Sequence, residues 1–567
     1  MKNSRTIIFF FLFLIVAFLS LAGRCLYVQF FKYRHYCQVS ARQQQAQVTL
    51  KPQRGVIVDC RGRVLAASNK IQTIFADPLL IKEPEEVSVK LAKIVNMDAI
   101  DIYKLITGSR NRRYVKIKTG ASQQQCNAAG EIYGIGIQSD WRRHYPAGEL
   151  TAHIVGFSGV DNRGLEGVEL EYDEQLCGSP GQNIFFADAS SSRRPVRLKH
   201  SRWYLADGNG IILTIDAAIQ QFSRVELLRQ YKSYECEGAV AIVAEAKTGA
   251  ILAMVSLPDY EPNDIRFANA DTMRNRAVTE AFEPGSLLKP IAAAIAIDDG
   301  VVGREEKIFC ENGSYRGKGF GRIGEYGEHR FGELSVREIL VRSSNIGMAK
   351  IGQRTGKEGL CRGLKLFGFG RKTGIDLPGE SLGLLQPSDK WTGYSVTRIP
   401  FGQEISVTAI QLVRAFCVLA NGGRYVRPYM VKAVVGNDGE IVKQKHPLPG
   451  VGFVVKPEVA DWVVREAMVG VVNEGTGKKA KLKKWQVFGK TGTAQLAKSD
   501  GKGYSDSDYV ASFVAGAPAE DPAVVVLVSM FKPNIKLGKG YTGGTVAAPV
   551  AGRILEKTLR YLEKQQH

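Results

Sequence analysis

Behind Lys2 and Arg5 the chain runs uncharged from Thr6 to Gly23, dominated by Ile, Phe and Leu. That run suits a single membrane-crossing helix and exceeds the roughly 7–15 apolar residues of a cleaved signal core, so an anchor is expected. Ser20-Leu21-Ala22 resembles a small-residue cleavage site, which leaves removal as a signal peptide open, whereas Arg24 directly before Cys25 argues against a lipid-attachment box. No second long apolar run follows, so everything beyond about residue 30 is expected on one side of the membrane. Residues 40 to about 225 read as mixed and loop-rich: strand-like pieces at Gly55 to Val58 and Ile211 to Ile215, a helix around Glu86 to Val95, and a polar loop from Asp188 to Arg197.

From about residue 235 the pattern changes. Gly238 to Glu245 and Ala250 to Ser256 are apolar and β-branched, joined by Ala246-Lys247-Thr248-Gly249 as a hairpin. Helical periodicity follows over Leu287 to Asp298, Val336 to Thr355 and Thr408 to Ala420. Three strand candidates then appear at Trp485 to Gln495, Tyr509 to Ala517 and Ala523 to Phe531, with a closing helix over Ala548 to Glu563. Strands at both ends with helices between them predict one antiparallel sheet assembled from distant segments, an α+β architecture.

Composition narrows the class. At 567 residues, 44% hydrophobic and 23% charged, the chain has room for two to four domains and is neither a small disulfide-stapled module, a long disordered chain nor a many-span membrane protein. Lys and Arg number 76 against 56 Asp and Glu, an excess of +20 that suits nucleic acid, an anionic membrane face or an acidic polymer. No zinc-finger spacing, RNP sequence or basic-region heptad supports nucleic acid. Arg24, Lys32, Arg34 and Arg42 follow the apolar run and no acid appears before Asp59, so flanking charge does not place the body outside, although long domains translocate largely regardless of it. Nine scattered cysteines contain no CxxC pair and seven histidines no HExxH, so no zinc site, disulfide framework, metal or cofactor is expected.

The sharpest chemical signal is Glu283-Pro284-Gly285-Ser286-Leu287-Leu288-Lys289-Pro290 ahead of Ile291-Ala292-Ala293-Ala294. A spacing of three puts Ser286 and Lys289 a turn apart on one helix face, with Pro290 tolerable in the first turn. A lysine sunk in an apolar helix loses affinity for its proton and becomes a base for the serine, and the helix start favours an oxyanion. Ser-x-x-Lys recurs at Ser499 to Lys502, but in a Gly/Asp/Ser-rich stretch that would not bury the lysine. Ser343-Ser344-Asn345 sets a hydroxyl two residues from a carboxamide at a break between helical segments, able to relay a proton and grip an amide; Ser109-Arg110-Asn111 is a rival in a polar loop. Lys490-Thr491-Gly492-Thr493 lies on a strand candidate, unlike Lys247-Thr248-Gly249 in a hairpin turn and Lys372-Thr373-Gly374 opening a loop. Its cation and hydroxyls could hold a carboxylate, Gly492 would let substrate approach the backbone, and the Thr493 N–H could face an oxyanion. Two nucleotide motifs fail: Lys484 stands where a phosphate loop ending at Gly489-Lys490-Thr491 needs glycine, and Gly319 to Gly324 sits in a Gly-rich loop with neither a strand before it nor a helix after it.

Ser-x-x-Lys, Ser-x-Asn and Lys-Thr-Gly-Thr in this order resemble the signature of penicillin-binding proteins and serine β-lactamases. Arg54 to Gly62, with Cys60 where Arg is common, Arg143 to Gly148, Ala152 to Phe157 and Gly164 to Glu169 resemble the pedestal of class B penicillin-binding proteins. Asn275-Arg276-Ala277-Val278, Phe282-Glu283-Pro284-Gly285 and Phe401 to Thr408 look most like the cell-division type, with the elongation type as the alternative. The resemblance implies a penicillin-binding/β-lactamase-like transpeptidase domain over 226–567, a non-catalytic pedestal over 39–225, and a short cytoplasmic tail with an inner-membrane anchor over 1–38, the body lying periplasmic. It implies a D,D-transpeptidase in which Ser286, activated by Lys289, attacks stem peptides ending in D-Ala-D-Ala, Ser343 relays a proton to the leaving group, Asn345 holds the peptide, and Lys490, Thr491 and Thr493 bind the terminal carboxylate. β-Lactams would be trapped at the same serine, and a membrane glycan polymerase and divisome proteins are the implied partners. A β-lactam sensor or a structural septum protein is the rival from another class; sensors usually carry further spans and a cytoplasmic signalling domain, and neither is seen here.

Overall fold

The structure is a computed structural model that describes residues 2–37, 45–50, 52–108, 114–186, 196–197, 206–445, 452–498 and 503–566. The loop expected from Asp188 to Arg197 falls largely outside these residues, as do the rival triplet Ser109-Arg110-Asn111 and the second Ser-x-x-Lys at Ser499 to Lys502. The chain divides into two compact units. One comprises Met1–Gln53 with Gly178–Asp207, the other Arg54–Cys177 with Gly208–His567.

In the first unit the apolar run forms helix Lys2–Leu26, continued by a wider turn through Phe31. The most apolar stretch within Ile7–Phe31 has a mean hydropathy of 2.5 and is exposed, and the segment is long and apolar enough to cross a membrane. Strand Gln45–Leu50 pairs antiparallel with Gly181–Phe186, which in turn pairs with Val196–Arg197.

In the second unit, the predicted sheet is present with five strands. In chain order they are β1 (Gly238–Glu245), β2 (Ile251–Leu257), β3 (Phe488–Ala497), β4 (Tyr504–Ala517) and β5 (Val524–Phe531), in the spatial order β2-β1-β5-β4-β3, every pair antiparallel. The central strand β5 is buried throughout because helices cover both faces. Its period of two divides the side chains: Val525 and Leu527 join the core containing Ile410 and Leu412, whereas Val524, Val526 and Val528 join Val550, Ile554 and Leu555 on the other face. The first pair of core residues comes from helix Ala409–Ala420, started by a Thr408/Gln411 capping box, and the second set from the closing helix Ala548–Gln566.

Helix boundaries near the three motifs differ from the periodicity in informative ways. Gly285–Leu288 is a tight 3-10 turn, and the α-helix proper, α1, begins at Lys289 and ends at Asp298, with Pro290 in its first turn. The helical stretch over Val336 to Thr355 is divided at Ser343-Ser344, where a break between segments was expected: α2 (Val336–Arg342), opened by a Ser335/Glu338 capping box, and α3 (Asn345–Leu366). The Gly-rich stretch Gly319 to Gly324 belongs to a hairpin, Ser314–Gly317 against Gly321–Gly324, and not to an irregular loop; a strand does precede it.

In the region resembling the pedestal, the quoted motifs meet. Arg54 and Arg143 both pair with the fully buried Glu169, Arg143 Nε at 2.6 Å, and Arg54 Nη1 also reaches Asp173 at 2.6 Å. Strand Ile57–Val58 runs parallel to Gly210–Leu213, which pairs with Val431–Val435, so one sheet draws strands from before and after residue 225. Helix Ala217–Ser233, capped by Asp216, passes through that position.

Candidate active site

Ser286, Ser343, Asn345, Thr491 and Thr493 line one cleft of about 570 Å³. Three elements deliver them: the 3-10 turn before α1, the break between α2 and α3, and the sheet-edge strand β3. Strand β3 and the 3-10 turn are in close contact. A Cβ on Gly492 would stand 2.8 Å from Leu287 Cγ and 3.0 Å from Pro284 O. The bare α-carbon, expected to admit substrate, is therefore turned onto the segment that carries Ser286. Gly285 takes φ +53°, and Gly402 approaches so near that its Cβ would lie 2.0 Å from Gly285 O.

The helix break has a physical cause. Ser343 adopts the left-handed conformation, φ 60° and ψ 43°, which an L-residue other than glycine adopts at a cost of about 1 kcal/mol. The cost is offset by what the turn arranges. Ser344 caps α3 through the Gly347 N–H at 3.0 Å. Glu325, the residue after the hairpin, accepts from Ser344 Oγ at 2.5 Å and from the Asn345 N–H at 2.6 Å, seating a carboxylate on the N-terminus of α3. Asn345 is then held from both ends, its Nδ2 donating to Gly324 O at 3.1 Å and its Oδ1 accepting from Lys289 at 2.8 Å.

Lys289 is fully buried on α1, and its Nζ donates to Ser343 O (2.5 Å), Ser343 Oγ (3.1 Å) and Asn345 Oδ1 (2.8 Å). Among the described residues it makes no hydrogen bond to Ser286 Oγ; the lysine is held by the second motif. Burial pushes its pKa down to about 7, opposed by the Glu325 charge. Lys490, equally buried, donates to the same Ser343 Oγ at 3.1 Å and to Thr491 O at 3.2 Å. Burial first, and the Lys289 charge second, hold it well below the usual lysine range. On the same strand, Thr491 Oγ1 lies 2.7 Å from Thr476 Oγ1, and Thr493 Oγ1 accepts from the Gly543 N–H at 3.1 Å.

All three predicted motifs thus converge, while their rivals at Lys247 and Lys372 stay apart from the cleft: Lys247 pairs with Asp521 at the surface, and Thr373 bonds Glu380. Glu325 and Thr476 were missed. Gly324-Glu325 offered a signal only at the edge of a glycine-rich run, and Thr476 none beyond its place in Gly475-Thr476-Gly477.

Residues 239–556 match the family description "Penicillin binding protein transpeptidase domain", and residues 49–202 match "Penicillin-binding Protein dimerisation domain". The chain belongs to the class B penicillin-binding proteins. This penicillin-binding protein is 34% identical over 565 residues to stage V sporulation protein D of Bacillus subtilis, covering 98% of this chain and 85% of that one. It is 32% identical over 515 residues to the peptidoglycan D,D-transpeptidase FtsI of Escherichia coli K12, covering 89% and 83%. Among solved structures, penicillin binding protein 3 from Mycobacterium tuberculosis complexed with aztreonam superposes with a TM-score of 0.70 at 26% identity, covering 91% of this chain and 97% of that one. As a member of this family the protein is a serine-type transpeptidase.

Proposed function

We propose that this penicillin-binding protein, a peptidoglycan D,D-transpeptidase, cross-links stem peptides in septal wall synthesis during cell division. The observation that carries the chemistry is the meeting of Lys289 and Lys490 on Ser343 Oγ beside the cleft that Ser286 lines. Ser286 is the nucleophile and Lys289 its base. Oγ attacks the penultimate D-Ala carbonyl, and the backbone N–H groups of Ser286 and Thr493 receive the oxyanion. Ser343 passes a proton between the lysines and the departing D-Ala, Asn345 holds the peptide amide, and Lys490, Thr491 and Thr493 take the terminal carboxylate. An amine of a neighbouring stem then resolves the acyl-enzyme, and a β-lactam that acylates Ser286 blocks the cycle.

The apolar helix is a single-pass anchor with a short cytoplasmic tail, the catalytic body lying outside the inner membrane beside a glycan polymerase and divisome proteins. Resemblance to the division type around the nucleophile, together with the FtsI relative, supports the septal role. Depletion in a rod-shaped host tests it: unseptated filaments are expected, and rounded cells would assign the protein to elongation instead. The relative named for a sporulation stage favours a second reading, under which depletion leaves growth and division intact and blocks spore formation.

A further inference from the structure

Glu283 stands three residues before Ser286, lines the same cleft, and has no part in the steps set out above. Only one of its oxygens is engaged. Oε1 accepts from the Glu404 N–H at 3.0 Å and from the Tyr504 hydroxyl at 3.1 Å, whereas Oε2 has no hydrogen-bond partner among the described residues. The carboxylate is fixed from two sides: the Gly402–Glu404 segment is docked on the nucleophile turn through Gly285 N–H to Gly402 O at 3.1 Å, and Tyr504 opens strand β4. Burial raises its proton affinity and the Glu404 carboxylate adds to this, while the two hydrogen bonds oppose it; Arg398 faces Tyr504 from the cleft wall.

Transpeptidation needs a second substrate, a primary amine that arrives as an ammonium ion and cannot attack until it loses a proton. Lys289, Ser343 and Lys490 serve the donor peptide and spend their hydrogen bonds on one another, and two lysines, neutral or charged, offer an ammonium no opposite charge. A half-buried carboxylate with one free oxygen in the same cleft has the opposite charge and the capacity to accept. We propose that Oε2 of Glu283 receives the acceptor ammonium and takes its proton. This rests on the transpeptidase reading of the cleft. The ammonium gives one proton to Glu283; its nitrogen attacks the acyl carbon, forming the C–N bond as the bond from that carbon to Ser286 Oγ breaks. The second proton passes through neutral Lys289 to Oγ, and Glu283 releases its proton to solvent.

The test uses the full chain in detergent with a D-Ala-D-Ala-terminated pentapeptide donor and a free D-amino acid as the acceptor amine. Partition of the acyl-enzyme between aminolysis and hydrolysis is measured as the amine is raised, for the parent, Glu283→Gln and Glu283→Asp. Glutamine keeps an oxygen for Tyr504 and the Glu404 N–H, and the ratio cancels any change in acylation. The ratio is expected to fall about tenfold or more in Glu283→Gln, with a higher KM for the amine and loss of the parent's rise of aminolysis with pH, and to recover in part in Glu283→Asp. An unchanged ratio in Glu283→Gln, or equal losses in the Gln and Asp variants, would overturn the inference. A parent that forms no acyl-enzyme with penicillin would refute the transpeptidase reading itself, and the inference with it.

Discussion

Lys289 and Lys490 reach one hydroxyl, Ser343 Oγ, at 3.1 Å each from fully buried positions. Two ammonium groups so placed repel each other and lack bulk water, so at least one gives up its proton near neutrality. With the Lys289 pKa lowered to about 7, the neutral base is present above that pH and lost below it. The second-order rate of penicillin acylation is therefore expected to rise with pH to a plateau, with a midpoint near about 7 and a fall of about tenfold per pH unit on the acid side. Stopped-flow acylation across pH 5 to 9 checks this, and a rate independent of pH over that window would contradict the assignment of Lys289 as base. The same linkage acts on folding: between about 7 and the usual lysine value the unfolded chain holds a proton that the folded chain does not, so this residue's contribution to stability improves as pH rises through that window.

At the scale of elements, α3 decides where Asn345 and Ser343 stand, and Glu325 decides where α3 begins. Replacing Glu325 by Gln removes the charge at the helix N-terminus and should cost about 1–2 kcal/mol in thermal stability. Acylation should slow about tenfold through looser placement of Asn345. Loss of the Glu325 charge also removes what opposes burial at Lys289, so the acid limb of the rate profile should move to lower pH, a shift that simple loosening of α3 would not produce. The strands of the sheet were legible because their apolar, β-branched residues alternate between two cores, and Ser286 and Lys289 because a lysine followed by Pro-Ile-Ala-Ala-Ala has nowhere polar to go. Glu325 was not legible: it works across a hairpin turn on a helix twenty residues later, and nothing local marks a carboxylate that caps a distant N-terminus. The attachment of Lys289 to the second motif, in place of Ser286, is likewise a tertiary fact, invisible to helix spacing. The break at Ser343-Ser344 was legible as an interruption between helical segments, but the left-handed conformation of Ser343 was not, because it follows from packing and not from propensity.

At the scale of the molecule, the residues before the three motifs carry a buried charge network of their own. Glu169 sits between Arg54 and Arg143 with no exposure of its carboxylate. Arg54→Met would leave Glu169 with one partner and Asp173 with none of its buried guanidinium, and should cost about 3 kcal/mol or more, read as a lowered unfolding midpoint of the full chain; an unshifted midpoint would mean the network holds nothing together. The +20 charge, which by itself admitted nucleic acid, belongs to a class B penicillin-binding protein with a membrane-length helix and a cleft built from three motifs. All of this rests on Ser286 being the residue that is acylated. The most direct measurement is covalent labelling of the full-length protein by a fluorescent penicillin, with the adduct located by peptide mass. A stable adduct on Ser286 that disappears in Ser286→Ala is the predicted result; labelling of Ser286→Ala at the parent's rate, or an adduct on another residue, would contradict the account.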